Sequence, residues 1–270
     1  MLDYKLSEIS VYPVKSLGGI SLQSAAVTDR GLKYDRRWMV IDADGMFLTQ
    51  RTHPKMALVK VRIEGDNLTF SHKHNFVQPI TFPISQYTDQ TKDVVVWGDS
   101  VKASFVDKTV NDWLSTALNV VCRIVFMPDE AHRLVDSKYS QKNEIVSFAD
   151  AFPFLIIGEE SLNDLNKRLV EKLPMNRFRP NLVFSGGAPF DEDRWKKFRV
   201  GDVIFSAVKP CARCVITTIN QVTAEKKDEP LKTLSAYRTQ NNKVMFGQNL
   251  LHEGMGTIKT GDELEVLEWK

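Results

Sequence analysis

Apolar and polar residues alternate with a period of two through most of the first hundred positions, which predicts short, half-buried strands separated by turns. LSEISVYPV, residues 6–14, alternates in this way and then meets Lys15-Ser16 and the Gly18-Gly19 pair. RRWMVIDADGMFLTQR predicts a hairpin, with apolar residues 38–41, a turn at 42–45 and a return strand over 46–50. ALVKVRIEGDNLTFSH repeats that pattern around Gly65-Asp66-Asn67, and DVVVWGDS reads as a strand running into a Gly-Asp turn. Two segments carry the helical period instead. Val110, Trp113, Leu114 and Ala117 follow it behind an N-cap at Asp107 or Thr109. Leu162, Leu165, Leu169 and Leu173 stripe ESLNDLNKRLVEKL until Pro174 stops it.

Residues 126–146 are polar and weakly periodic, which fits a loop between halves or a lid. A second run of strands follows: FPFLIIG, RPNLVFSG, GDVIFSAV, CVITTI, KVMFGQNLL and GDELEVLE. Two strand-rich halves with few helices predict a mainly β fold with some α, built as barrels or curled sheets rather than a parallel α/β layout. The boundary is expected near residue 122, giving domains 1–122 and 123–270.

Composition adds little to the fold but removes several functions. The 270 residues are 43% hydrophobic and 26% charged, with a net charge of +2, so nothing draws the whole chain to nucleic acid or an anionic membrane. The polar start MLDYKLSEIS is no export signal, and no apolar run reaches membrane-spanning length. A cytoplasmic, monomeric protein is expected. Its three cysteines, Cys122, Cys211 and Cys214, fit reduced thiols better than a disulfide framework. They are also too few for an ordinary four-thiolate iron–sulfur cluster.

Candidate chemistry centres on VKPCARCVITTI, residues 208–219. A thioredoxin-type pair needs a helix after it, and the β-branched run here favours a strand. Structural zinc needs four ligands, and only two cysteines cluster. Two small buried hydrophobes would fit poorly beside Arg213, whereas one thiolate presented next to a guanidinium makes electrostatic sense. Lys15 and Ser16, the Arg36-Arg37 pair, Arg177 and Arg179 all fall at predicted strand ends, and the glycines after Ser16 would let backbone approach a ligand. Together these cations could serve one anionic, phosphate-bearing ligand. Asp150 reads as a helix cap or a site carboxylate. No dinucleotide, serine-hydrolase or zincin motif occurs in the chain.

YPVKSLGG, GLKYDRRWMV, NRFRPNLVFSG, PCARCVITTI, EPLKTLSAYR and FGQNL occur in an order that resembles proteins joining an N-terminal β-barrel to a MOSC domain. The resemblance spans about residues 5 to 267 and is nearest to bacterial relatives of the mitochondrial amidoxime-reducing component. It implies a molybdenum cofactor of the molybdopterin type, not pyridoxal phosphate, and the detoxifying reduction of N-hydroxylated compounds. It further implies that Cys214 ligates molybdenum. Lys15, Ser16, Arg36 and Arg179 would hold the pterin and its phosphate, with Asn181, Ala212, Arg213, Gln248 and Asn249 among the cofactor-binding positions. Asp150 stands at an acidic position near the cofactor. Ala151 and Phe152 depart from the small hydroxyl residues found there in relatives. Electrons are expected from a separate flavin or iron–sulfur reductase. The alternative implied is a cofactor or sulfur carrier without turnover.

Overall fold

The expected alternation appears in the first strand, Lys5–Val11, where Leu6, Ile9 and Val11 are buried and a bulge between Leu6 and Glu8 resets the phase. The computed structural model describes residues 3–270 and is mainly β with some α. Lys5–Val11 pairs antiparallel with Leu182–Ser185, far along the chain, and so enters the largest sheet. That sheet has nine strands, running Leu264–Trp269, Trp195–Val200, Val203–Ala212, Lys243–Glu253, Phe154–Gly158, Leu182–Ser185, Lys5–Val11 and Ile20–Leu22, with Thr239–Gln240 beside Lys243–Glu253. A second N-terminal strand, Ser24–Thr28, pairs with Gly256–Lys259. One core unites Leu6, Ile9 and Val27 with Phe154, Trp195, Phe198, Phe205 and Leu250.

The intervening segment builds its own sheets. Tyr87–Val96, Asp99–Val106, Arg123–Phe126 and Trp38–Ile41 form four adjacent strands, and Val59–Glu64, Asn67–His72 and Ile80–Pro83 form three. The helix Lys108–Leu118 starts at Asp107, whose carboxylate accepts from the Thr109 amide at 2.8 Å. It buries Val110, Trp113 and Leu114 against Trp38 and Phe70. Arg123–Phe126 lies between Trp38–Ile41 and Asp99–Val106, so a cut after residue 122 removes a strand from the middle of its sheet.

Four sequence expectations change in the structure. The return strand over 46–50 reduces to two isolated bridges, Ile41 with Phe47 and Met46 with Val95. The Leu-striped helix ends at Asn166, because the Asn166 side chain caps the following loop: Nδ2 donates to the Leu173 carbonyl at 3.0 Å and Oδ1 accepts from its amide at 2.8 Å. CVITTI is not a strand; Val215–Thr218 is a short 3₁₀ helix. The Thr217 and Thr218 hydroxyls donate to the carbonyls of Cys214 and Val215 at 3.0 and 2.8 Å, satisfying the turn locally. A third helix, Leu231–Ser235, carried no signal of its own beyond Pro230 before it. Among the described residues, no helix is long and apolar enough to cross a membrane.

Because Lys5–Val11 is an interior strand of the large sheet, Ile9→Ala should cost about 2–5 kcal/mol in urea unfolding followed on the C-terminal half. A loss under about 1 kcal/mol would mean that the strand is dispensable to that half.

Candidate functional site

Cys214 caps the 3₁₀ helix and opens onto a cleft of about 140 Å³. The cleft is built by turns from three parts of the chain. The first turn follows Lys5–Val11 and carries Lys15 and Ser16. Its glycines serve packing rather than ligand approach: a Cβ on Gly18 would sit 2.8 Å from the Val59 carbonyl, and one on Gly19 would sit 2.5 Å from the Tyr12 ring. The second turn precedes Trp38–Ile41 and carries Arg36. The third precedes Leu182–Ser185 and carries Arg179. Ser16, Arg36 and Arg179 all have positive φ, at 67°, 49° and 55°. Such backbone is uncommon outside glycine and tends to gather at ligand-binding turns.

The cations are braced rather than loose. Lys15 is only 4% exposed; its Nζ donates to the Phe148 carbonyl at 2.7 Å and to Asp150 Oδ1 at 2.6 Å. Burial lowers the Lys15 ammonium, and Asp150 opposes that shift. Asp35 is buried, accepts from the Tyr12 amide at 2.8 Å and pairs with Arg36. The guanidinium groups of Arg36 and Arg179 lie 4.3 and 4.2 Å from the Tyr12 ring centroid. Arg36 Nη1 also donates to Asn181 Oδ1 at 3.1 Å. Arg179 Nη1 donates to the Leu17 carbonyl at 2.7 Å, and no carboxylate pairs with it among the described residues. Burial is the main reason the Arg179 guanidinium falls to about 10, which leaves it charged at neutral pH.

Asp150 sits at the mouth of the cleft, crowded by protein yet with 59% of its side-chain surface open. Desolvation pushes its carboxyl up, but Lys15, Trp97 and Arg51 together override that and hold it well below the usual carboxylate range. Arg51, which the sequence reading did not single out, links the acid to the thiol. Its Nη2 is 3.3 Å from Asp150 Oδ2 and its Nε is 3.3 Å from Cys214 Sγ. The only available signal was a charged residue where the hairpin pattern at 46–50 broke down.

Lys15, Ser16, Arg36, Asp150, Arg179, Asn181, Ala212, Arg213, Cys214 and Asn249 all line the cleft, as do Ala151 and Phe152. Gln248 does not. It is fully buried on the opposite side of its strand, where Nε2 donates to Asp193 Oδ1 at 2.6 Å. Arg213 lines the cleft, but its guanidinium serves Cys211: Nη1 is 3.0 Å from Cys211 Sγ, so Arg51 and not Arg213 is the cation beside Cys214. Two other strand-end arginines turn away, Arg37 to the Met127 carbonyl and Asp129, and Arg177 to the carbonyls of Thr217 and Glu229. Cys122 is buried against Ser115.

The donor set suits an anionic cofactor with a soft metal. Arg213 Nε is buried without a partner, Arg179 has guanidinium nitrogens to spare, and Cys214 is a free cysteine, a residue type that suits a soft metal. Among the described residues, no three His, Cys, Asp or Glu side chains converge to hold a metal ion. A larger recess of about 550 Å³ lies behind the 3₁₀ helix, lined by Arg177, Lys227 and Lys232 among others, and contains neither cleft thiol.

Residues 4–121 match the family model described as the MOSC N-terminal beta barrel domain, and residues 143–265 match the MOSC domain. The chain is 33% identical over 282 residues to mitochondrial amidoxime-reducing component 1 of Mus musculus, an alignment spanning 97% of this chain and 82% of that one. The Homo sapiens protein of the same name is 32% identical over the same shares of the two chains. Molybdenum cofactor sulfurase of Oryza sativa subsp. japonica is 33% identical over 93% of this chain, but only 33% of that longer protein is matched.

The low-lying Asp150 carboxyl gives a pH test. An acid depressed in the folded state adds stability above its unfolded value near pH 4, and that contribution shrinks as pH falls toward the folded value. Asp150→Asn should therefore cost about 1 kcal/mol at pH 7, a small figure because the pair is half open to solvent. The gap from wild type should narrow steadily below about pH 4 in urea titrations. A gap that does not vary with pH would contradict the ion pair.

Proposed function

Because the chain belongs to the MOSC-domain proteins with a MOSC N-terminal β-barrel, the family of the amidoxime-reducing components, we propose that it binds a molybdenum–pterin cofactor in the Cys214 cleft and reduces N-hydroxylated compounds. The observation that carries this reading is the junction of an accessible thiol, Cys214, with a wall of cations. Cys214 Sγ meets Arg51 at 3.3 Å, and Lys15, Arg36, Arg179 and Arg213 line the same cleft. Cys214 would ligate the metal, a soft centre that suits thiolate. Arg179 and Arg36, stacked on Tyr12, would take the phosphate, with Lys15, Ser16, Asn181, Ala212, Arg213 and Asn249 closing around the pterin. Gln248 has no part in this.

When bound, such a cofactor supplies the two-electron and oxygen-acceptor chemistry that no side chain here provides. The overall conversion consumes an N-hydroxylated compound, two electrons and two protons, and gives the amine and water. Asp150, ionised and open to the cleft, holds Lys15 and Arg51 in place and stands where a proton would be passed. A separate flavin or iron–sulfur reductase would supply the electrons, since the three cysteines of these 270 residues are too few for a four-thiolate cluster.

One observation favours a second reading. Cys211 has its own guanidinium partner, Arg213, at 3.0 Å, as a thiol that carries sulfur as a persulfide would need. The two readings separate by mutation. With the cofactor-loaded chain and dithionite as reductant, Cys214→Ser should lower benzamidoxime reduction by more than the roughly 100-fold that loss of a supporting contact can cost. Cys211→Ser should keep most of the activity. No benzamidoxime reduction by the loaded wild-type chain, together with a persulfide that Cys211→Ser removes and Cys214→Ser retains, would favour the carrier.

A further inference from the structure

We infer that Trp97 and Asp150 form the subsite that selects planar, nitrogen-bearing substrates, with the indole of Trp97 as the stacking platform, an assignment that rests on the reductase reading above. Trp97-Gly98 is the two-residue loop of the hairpin between Tyr87–Val96 and Asp99–Val106, in which Val96 pairs with Asp99. Both loop residues have positive φ, 54° and 100°. Loops of this kind are dominated by Asn, Asp and Gly, and a bulky residue there is an outlier.

Burial does not explain the tryptophan, since 50% of it is exposed. Its contacts are directed instead at the cleft. Nε1 donates to Asp150 Oδ1 at 3.0 Å, the Arg51 guanidinium lies 4.3 Å from the ring centroid, and Phe47 meets it edge-on at 5.1 Å. A hairpin tip thus carries a strained, exposed aromatic to within one residue, Arg51, of the Cys214 thiol. Strain at an exposed loop, coupled to a site contact, points to a function for that side chain.

Arg51 displays what the corner recognises. Its guanidinium is a planar group of one carbon and three nitrogens, stacked on Trp97, with one nitrogen 3.3 Å from Asp150 and another 3.3 Å from Cys214 Sγ. An amidoxime or N-hydroxyguanidine has the same planar N–C–N frame. It would stack on the indole, donate an N–H to Asp150 and direct its N–O bond toward Cys214, displacing Arg51. A small aliphatic hydroxylamine has no such plane and gains nothing from the platform.

The test uses the full chain and two readouts. Benzamidine has the planar frame but no N–O bond, so its binding, measured by calorimetry, is read whether or not anything is reduced. Trp97→Leu should raise its Kd about tenfold, the equivalent of one lost stacking contact, and Trp97→Phe should stay within about threefold of wild type. In turnover, the kcat/KM for benzamidoxime relative to N-methylhydroxylamine should also fall about tenfold in Trp97→Leu, through KM. Equal benzamidine affinity in wild type and Trp97→Leu, no benzamidine binding to wild type, or equal losses on both substrates would overturn the subsite. Trp97-dependent benzamidine binding by a chain that reduces neither compound would leave the subsite standing and remove the reductase reading.

Discussion

Unbalanced positive charge in one cleft is the constraint on which the rest of the site depends. Lys15, Arg36, Arg51, Arg179 and Arg213 gather there against two carboxylates, Asp35 and Asp150, which leaves a surplus of three in a chain whose net charge is only +2. Like charges about 4 Å apart repel by about 4 kcal/mol at the effective dielectric of a protein surface. The fold offsets this by placing the Tyr12 ring against Arg36 and Arg179 and by turning the backbone carbonyls of Leu17, Phe148 and Phe178 toward Arg179, Lys15 and Arg213. A surplus that is braced yet only half neutralised is complementary to an anionic ligand.

That bracing explains why the two halves of the chain are interleaved. Lys15 and Arg36 reach the cleft only because Lys5–Val11 is woven into the sheet of the C-terminal half beside Leu182–Ser185, which brings Arg179 alongside. Asp150 is fixed from behind by Arg133, whose guanidinium donates to the carbonyls of Ser147, Ala149 and Asp150. The 126–146 stretch therefore acts as a packed support through this buried arginine. Trp97 arrives on a hairpin from yet another sheet. No single half of the chain contains the site.

Strand period, the Asp107 cap and the glycine turns were legible because each is a local feature. Strand-end cations pointed to the cleft, since a turn after a buried strand can aim a side chain in few directions, and the ordered motifs supplied the family. Side-chain direction was not legible. Arg213 serves Cys211, and Arg51, unmarked by any pattern, stands beside Cys214 where the short 3₁₀ helix Val215–Thr218 begins. Gln248 faces away from the cleft while Asn249 lines it, an alternation that a motif match does not resolve. Arg51 and Trp97 lay in turns where periodicity carries no information about the third dimension.

Molybdenum content reports directly on the proposed hold of Cys214 and the surrounding cations on a molybdenum–pterin group. Elemental analysis of the chain produced in a host that makes the cofactor, then supplied with it in excess, should give about one molybdenum per chain, as a single thiolate site dictates. Molybdenum at trace level in that fully supplied preparation would contradict the account.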